Sequence, residues 1–205
     1  MNRNAFSAGE LFKIGWTKAK RFLVYFFCLF LLIFAINVFL SIFRNRLGLS
    51  NNGLFIFNAL SCLIDLVVGL GLTKVTLDIC DEKIPNAASF FSSIDFFLNY
   101  SVGFILFSLM TTLGMLLFIV PGIVLLLKFQ FFAFFIIDKK LGPIEALKES
   151  SRITQGIKLE LLGFAILMGL INILGALAFG VGLIASISTT LIAHAALYRK
   201  LTSNS

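Results

Sequence analysis

Charged residues are scarce in this sequence. Asp, Glu, Lys and Arg together make up 13% of the 205 residues, whereas a soluble domain carries roughly 25%. So few charged side chains cannot cover a globule in water. The scarcity therefore argues against a soluble globular protein and indicates that lipid surrounds much of the chain.

Cysteine and histidine are also rare, and their spacing predicts neither a disulfide framework nor a metal site. The three cysteines, Cys28, Cys62 and Cys80, are an odd number without regular spacing. The single histidine, His194, has no Cys or carboxylate at the spacing of a zinc-binding motif. We therefore expect no metal and no cofactor.

Sequence motifs of catalysis are missing as well. The chain contains no Gly-rich phosphate loop, no GxSxG elbow, no HExxH pair and no paired-carboxylate site. The adjacent serines Ser150 and Ser151 have no histidine near them in the sequence. We therefore expect a protein that is not an enzyme and has no catalytic residue.

Apolar residues dominate what is present. They make up 59% of the chain, Phe alone accounts for 25 residues, and the mean hydropathy is +1.01. The runs Phe22–Phe43 and Phe96–Leu127 contain no charged residue. Runs of this length are typical of transmembrane helices.

The lengths of the apolar runs predict six crossings. Ser101–Ile137 as a single helix would extend about 55 Å, against a hydrocarbon core of roughly 30 Å. It must therefore fold back, and Pro121-Gly122 marks the turn. Leu161–Tyr198 must fold back for the same reason, at Gly180 and Gly182. The predicted crossings are about 22–43, 54–73, 101–119, 121–137, 159–179 and 182–198.

The distribution of basic residues predicts the orientation of these crossings. Fourteen of the 17 Lys and Arg residues fall on one face of the six-crossing arrangement. Arg44 and Arg46 lie on the other face, and Lys128 lies inside a crossing. The positive-inside rule places both termini in the cytoplasm. We therefore expect a multi-pass membrane protein with both termini cytoplasmic.

The net charge of +7 predicts lipid partners, because the basic residues flank apolar segments. Nucleic acid is not expected. The partners that we expect are membrane lipids with anionic headgroups, and a protein partner or a second copy of the chain stays open. The headgroup candidates are Lys13, Lys18, Lys20, Arg21, Lys139, Lys140, Lys148 and Arg152.

Three segments of the basic face have the pattern of an amphipathic helix, and each precedes two crossings. In the first segment, Ala8, Leu11, Phe12, Trp16 and Ala19 share one helical face. The second and third segments open with a proline at 85 and at 143. The sequence therefore predicts one transmembrane domain over 1–205, with units at about 6–73, 85–137 and 143–198. This all-α bundle of six transmembrane helices with three interfacial helices has a possible threefold internal repeat.

Five of the polar residues within the predicted crossings are candidates for a functional or packing role. Asp65 and Lys128 are expected near mid-depth, where an isolated charge costs about 2.5–3.5 kcal/mol. They could pair and fix helix packing, form a proton or ion relay, or never meet. For His194 we favour a hydrogen-bonded packing role over proton transfer, and Asn37 and Asn172 are candidates for hydrogen bonds between helices. The many small residues of the sixth crossing favour an inner helix of the bundle.

Three stretches resemble a known family. They are Gly69–Phe91 (GLGLTKVTLDICDEKIPNAASFF), residues 121–123 (PGI) and residues 142–156 (GPIEALKESSRITQG). Together they resemble a widespread bacterial family of six-helix membrane proteins of uncharacterised function. That family includes the membrane domain of some glycerophosphoryl diester phosphodiesterases. It commonly has Asp-Gly-Lys where this chain has Asp81-Glu82-Lys83. The resemblance implies the architecture and a place in the bacterial cytoplasmic (inner) membrane. It implies no catalytic site, because the phosphodiesterase chemistry belongs to a separate soluble domain.

These observations favour one function and keep a second open. We expect a non-enzymatic, membrane-embedded module that interacts with lipid or organises partners through a basic cytoplasmic face. The alternative is a small transporter or channel that uses the intramembrane Asp65 and Lys128.

Overall fold

The structure is a computed structural model that describes residues 6–46, 51–85, 90, 92–178 and 181–203. Within these ranges all regular secondary structure is helical. Arg3, Ala87, Phe91 and Gly180, which entered the sequence predictions, lie outside the described residues. The α-helices are α1 (Ala8–Arg21), α2 (Leu23–Arg46), α3 (Asn51–Cys80), α4 (Phe97–Leu117), α5 (Ile119–Phe129), α6 (Phe132–Lys139), α7 (Pro143–Ile153), α8 (Lys158–Leu177) and α9 (Val181–Ser203).

Five stretches of helix in the described residues are long and apolar enough to cross a membrane. They are Leu23–Arg46, Gly53–Cys80, Ile94–Leu117, Ile119–Lys139 and Lys158–Leu177. Large apolar side chains are exposed along them, such as Phe34 on α2, Phe55 on α3 and Leu116 on α4. An exposed apolar surface of this size is unfavourable in water. The chain is therefore a multi-pass membrane protein, with five candidate spans where the sequence predicted six.

Protein surrounds much of α9, the helix predicted as the sixth crossing. Ser186, Ser188, Ala193, Ala195 and Tyr198 are buried. It contacts α1, α8, α3 and α2. The prediction of an inner helix lined by small residues is confirmed.

The turn between the third and fourth predicted crossings lies three residues before Pro121. Phe118 is extended, with φ −158° and ψ 145°, and α5 begins at Ile119. Pro121 therefore sits in the first turn of α5, where its missing N–H leaves no bond unmade. The chain folds back between these two crossings as predicted, but it turns at Phe118 rather than at Pro121-Gly122.

The buried residues concentrate in one part of the molecule, which we call the helical core. It consists of α1, α6, α7, the second halves of α3 and α9, the end of α5 and the starts of α4 and α8. Every residue from Phe131 to Ile137 is buried, and rings of α6 pack on α9. Phe134 stacks on Tyr198 at 5.1 Å, and Phe131 stacks on His194 at 4.9 Å. Such pairs add about 0.5–1.5 kcal/mol each beyond the burial of area.

The first predicted interfacial helix, α1, packs along α9. Its buried residues are Leu11, Gly15 and Ala19. Trp16, on the same predicted face, is 43% exposed. Part of this apolar face therefore packs on protein, and Trp16 stays outside that contact.

The other two predicted interfacial segments differ from each other. In the second, residues 86–89 and 91 lie outside the described residues, and a 3-10 helix over Ile94–Phe96 runs into α4. In the third, α7 begins at the predicted Pro143 and ends at Ile153, three residues before Gly156, which has φ +85°.

The loop that departs from the resembled family keeps the geometry that glycine favours. Glu82 has φ +61°, in the left-handed region. Its N–H donates to Ile79 O at 3.2 Å, and the Lys83 N–H donates to Asp78 O at 2.8 Å. These two bonds form a Schellman motif that ends α3. The glutamate therefore occupies a backbone conformation that glycine would adopt with less strain.

Candidate functional site

A break at Gln130–Phe131 separates α5 from α6 within one apolar stretch. The side chains of α7 satisfy the backbone groups that the break frees. Ser150 Oγ donates to Lys128 O at 3.0 Å and accepts from the Phe131 N–H at 3.1 Å. Thr154 Oγ1 also donates to Lys128 O, at 3.2 Å. An unpaired backbone group would be costly here, so Ser150 and Thr154 make the break possible.

His194 faces the same break from α9. Its Nε2 lies 3.2 Å from Gln130 Oε1, and its ring stacks on Phe131. Gln130 Nε2 donates back to Leu127 O at 3.1 Å. The histidine is thus held by an amide and an aromatic ring, which agrees with the packing role that the sequence favoured.

Lys128 lies in a cleft between α4, α5 and α7. The cleft has a volume of about 440 Å³ and is lined by Leu106, Met110, Lys128, Phe129, Ile144, Leu147, Lys148 and Ser151. Lys128 Nζ lies 5.0 Å from the centroid of the Phe129 ring, a cation–π distance. Two lysines and one hydroxyl therefore share this cleft with apolar walls, and its lining contains no carboxylate.

A second, more polar cleft lies between α6, α7 and the end of α9. Its volume is about 780 Å³, and its lining is Phe135, Lys139, Leu141, Glu145, Lys148, Glu149, Arg152 and Thr202. Arg152 is already paired with Glu149, at 2.7 Å between Nη2 and Oε2. The structure thus brings together three of the predicted headgroup residues, but two acidic residues accompany them. Lys148 lines both clefts.

Arg199 connects the ends of three helices, which the sequence reasoning missed. Its Nη2 lies 2.7 Å from Asp81 Oδ2, and its Nη1 lies 2.8 Å from Asp138 Oδ1. Tyr198 Oη donates to Asp138 Oδ2 at 2.9 Å. Burial opposes the charge of Arg199, but its bonds to Asp81 and Asp138 outweigh that effect and raise the pKa of the guanidinium. One feature of the sequence could have indicated this contact. Asp81, Asp138 and Arg199 each follow an apolar stretch, at the end that lies on the predicted basic face.

The basic residues of α1 divide into structural and exposed ones. Lys18 Nζ donates to Ile79 O at 3.2 Å and to Cys80 O at 2.7 Å, so it caps the carboxyl end of α3. Lys20 Nζ lies 4.7 Å from the ring centroid of Trp16, and both side chains are exposed. Arg21 and Lys13 are also exposed. Lys18 is therefore a poor headgroup candidate, whereas the other three face outward.

Asp65 and Lys128 do not pair. Among the described residues they form no ion pair with each other, and Asp65 is exposed on α3. Lys128 instead points into the cleft beside α7. Of the three possibilities that the sequence left open, the pair is excluded by this geometry.

The two intramembrane asparagines have different partners. Asn172 Nδ2 on α8 lies 3.4 Å from Thr190 Oγ1 on α9, and Asn172 Oδ1 lies 3.4 Å from the same hydroxyl oxygen. This is a contact between two helices, as predicted. Asn37 donates to Ile33 O of its own helix at 3.0 Å and is exposed. The interhelical prediction for Asn37 is therefore wrong.

No group of three or more His, Cys, Asp or Glu side chains suited to a metal ion occurs in the part of the chain that the structure describes. Comparison with protein-family models, curated proteins and solved structures finds no match to this chain.

Proposed function

We propose that this protein is a non-enzymatic module of the bacterial cytoplasmic membrane that binds anionic lipid through a basic cytoplasmic face. The observation that carries the proposal is the exposure of Lys20 beside Trp16, with Arg21 next to them at the start of the apolar α2. Tryptophan and basic side chains together are typical of the headgroup level of a bilayer. Each basic residue near an anionic surface contributes about 1 kcal/mol of attraction.

The same face includes basic residues from two other helices. Lys139, Lys148 and Arg152 line the polar cleft, and Lys140 is exposed directly after α6. The face therefore combines α1 with α6 and α7, which are far apart in sequence. In this proposal α1 and α7 lie at the lipid–water interface.

The first prediction is that anionic lipid stabilises the protein. Purified full-length protein in a neutral detergent is titrated with phosphatidylglycerol or with zwitterionic phosphatidylcholine. Only phosphatidylglycerol raises the midpoint of thermal unfolding, and high salt weakens the rise because it screens exposed charges. Equal rises with both lipids would contradict the proposal.

A matched pair of variants tests the role of the α1 residues. In Lys13→Gln/Lys20→Gln/Arg21→Gln the stabilisation by phosphatidylglycerol falls by up to about 3 kcal/mol, since three attractions are lost. In Lys13→Arg/Lys20→Arg/Arg21→Lys, which keeps the charges, it is retained. Loss in both variants would indicate damage to α1 rather than loss of lipid attraction.

The second prediction concerns the number of crossings. In our proposal α9 is the sixth, so that both termini are cytoplasmic. A green fluorescent protein fused after Ser203 is then fluorescent, and an alkaline phosphatase fused after Arg46 is active, since the latter folds only outside the cytoplasm. Phosphatase activity after Ser203 would leave five crossings and overturn this orientation.

A further inference from the structure

We infer that the cleft between α4, α5 and α7 binds one anionic phospholipid, with its phosphate between Lys128 and Lys148 and an acyl chain along Leu106 and Met110. This inference rests on the proposed function and assigns it a specific site. It gives Lys128, the basic residue that topology leaves unexplained, a ligand.

The first argument is charge. Lys128 and Lys148 line the cleft together, and neither forms an ion pair within the described ranges. Glu145 and Glu149 line the neighbouring polar cleft and not this one. Lys128 is half-buried beside apolar side chains, where an uncompensated charge is costly, and the exposed Lys148 adds a second cation at the mouth of the cleft, so an anion fits between them. A phosphodiester supplies that anion, and Ser151 on the cleft wall offers a hydroxyl donor.

The second argument is shape. Leu106, Met110, Phe129, Ile144 and Leu147 form the remaining wall, and the volume of about 440 Å³ lies within the range of roughly 300–1,000 Å³ typical of ligand sites. Both Leu106 and Ile144 belong to surfaces that continue into exposed apolar side chains. A molecule with a charged head and an apolar tail matches this lining, whereas a free phosphate would leave the apolar wall in contact with water.

The third argument is the rigidity of the backbone that carries the two lysines. The carbonyl of Lys128 accepts hydrogen bonds from Ser150 and Thr154, so the backbone of this residue is fixed to α7 at the helix break. Lys148 lies on that same helix. The two ammonium groups are therefore carried by elements that are bound to each other, which lowers the entropic cost of ligand binding.

Native mass spectrometry of the full-length protein, released from neutral detergent, counts the phospholipids that stay bound. We expect one tightly held phosphatidylglycerol per chain and weaker retention of phosphatidylcholine. Lys128→Gln and Lys148→Gln each weaken the tight site about fivefold, and together about 25-fold. Lys83→Gln, which removes an exposed lysine outside both clefts, leaves it unchanged.

A second pair of variants tests the acyl-chain wall. Leu106→Trp fills the cleft and lowers retention of phosphatidylglycerol, whereas Leu109→Trp, on the exposed side of the same helix, does not. Glycerol phosphate, the headgroup without chains, does not displace the lipid. Displacement by glycerol phosphate at equal concentration would identify a soluble phosphate ligand and overturn the lipid assignment.

The two proposals fail in different ways. If the wild-type protein shows no preference for phosphatidylglycerol over phosphatidylcholine, the proposed function fails and this site with it. If the preference exists but Lys128→Gln/Lys148→Gln retains the tight lipid, this site is refuted and the basic face remains. Circular dichroism and unfolding midpoints of the variants establish that each one folds.

Discussion

Replacing Gly15 by alanine is expected to lower the stability of the protein by about 1–3 kcal/mol, the usual cost of overpacking a buried contact. A Cβ at Gly15 would lie 2.6 Å from Thr189 O and 3.1 Å from the Ala193 Cβ. The nearest atom is backbone, so it cannot rotate away. The two helices must separate, and the buried contacts of Leu11 and Ala19 with them would loosen.

The measurement is the thermal unfolding midpoint in neutral detergent, read from the reaction of Cys80 with a thiol reagent. Cys28 and Cys62 are exposed and are replaced by alanine beforehand, whereas Cys80 is partly buried. Gly169→Ala is the matched control, because a Cβ there meets nothing within 4 Å. It should raise the midpoint slightly, since alanine is favoured over glycine in a helix by about 0.5–1 kcal/mol. Equal midpoints for the two variants would contradict the close packing of α1 on α9.

Arg199→Ala is expected to destabilise the helical core by about 2–3 kcal/mol. The change leaves Asp81 and Asp138 without their shared cation, and Asp138 is only 14% exposed. The loss is smaller than the roughly 3–5 kcal/mol of a fully buried pair because Arg199 is itself 32% exposed. Arg199→Lys should recover only part of it, since one ammonium cannot match the forked contact with both carboxylates.

Neutralising Asp81 and Asp138 tests whether the stability loss in Arg199→Ala comes from lost charge pairing or from lost packing. In the Arg199→Ala background, Asp81→Asn and Asp138→Asn together should restore part of the lost stability, because they remove the uncompensated charges. The same unfolding midpoint is measured. If the triple variant is no more stable than Arg199→Ala, the guanidinium acts through its packing on Tyr198 instead.

The sequence predicts the apolar helices well because their lengths and composition follow from the thickness of a bilayer. The first predicted crossing, 22–43, corresponds to Leu23–Arg46, and the fifth, 159–179, to Lys158–Leu177. Length and hydropathy of single segments are enough for this, since no partner has to be known.

The break between α5 and α6 could not be predicted in this way. Residues 128–135 contain neither Pro nor Gly, so no local rule marks Gln130. What permits the break is Ser150 and Thr154, some 20 residues later, and that pairing exists only in the folded chain. The placement of Lys128 in a cleft rather than opposite Asp65 has the same origin.

The ion pairs of Arg199 with Asp81 and Asp138 could not be predicted from the sequence for a related reason. Asp81, Asp138 and Arg199 are separated by more than 50 residues each, and an isolated charge at the end of a helix is ordinary. The loop at Glu82 is an opposite case. Its sequence, Asp81-Glu82-Lys83, has no glycine, yet Glu82 adopts the left-handed conformation that glycine favours.

The packing of α1 on two helices that are far from it in sequence spreads its placement over time. Ala19 is synthesised about 170 residues before Thr189, and the ribosome adds roughly 5–20 residues per second. For about 9–34 s, therefore, Gly15 lacks the α9 backbone against which it packs. Lys18 reaches the α3 carbonyls sooner, once residue 80 is made. The contacts of α1 with the rest of the protein thus form in two stages, first with α3 and later with α9.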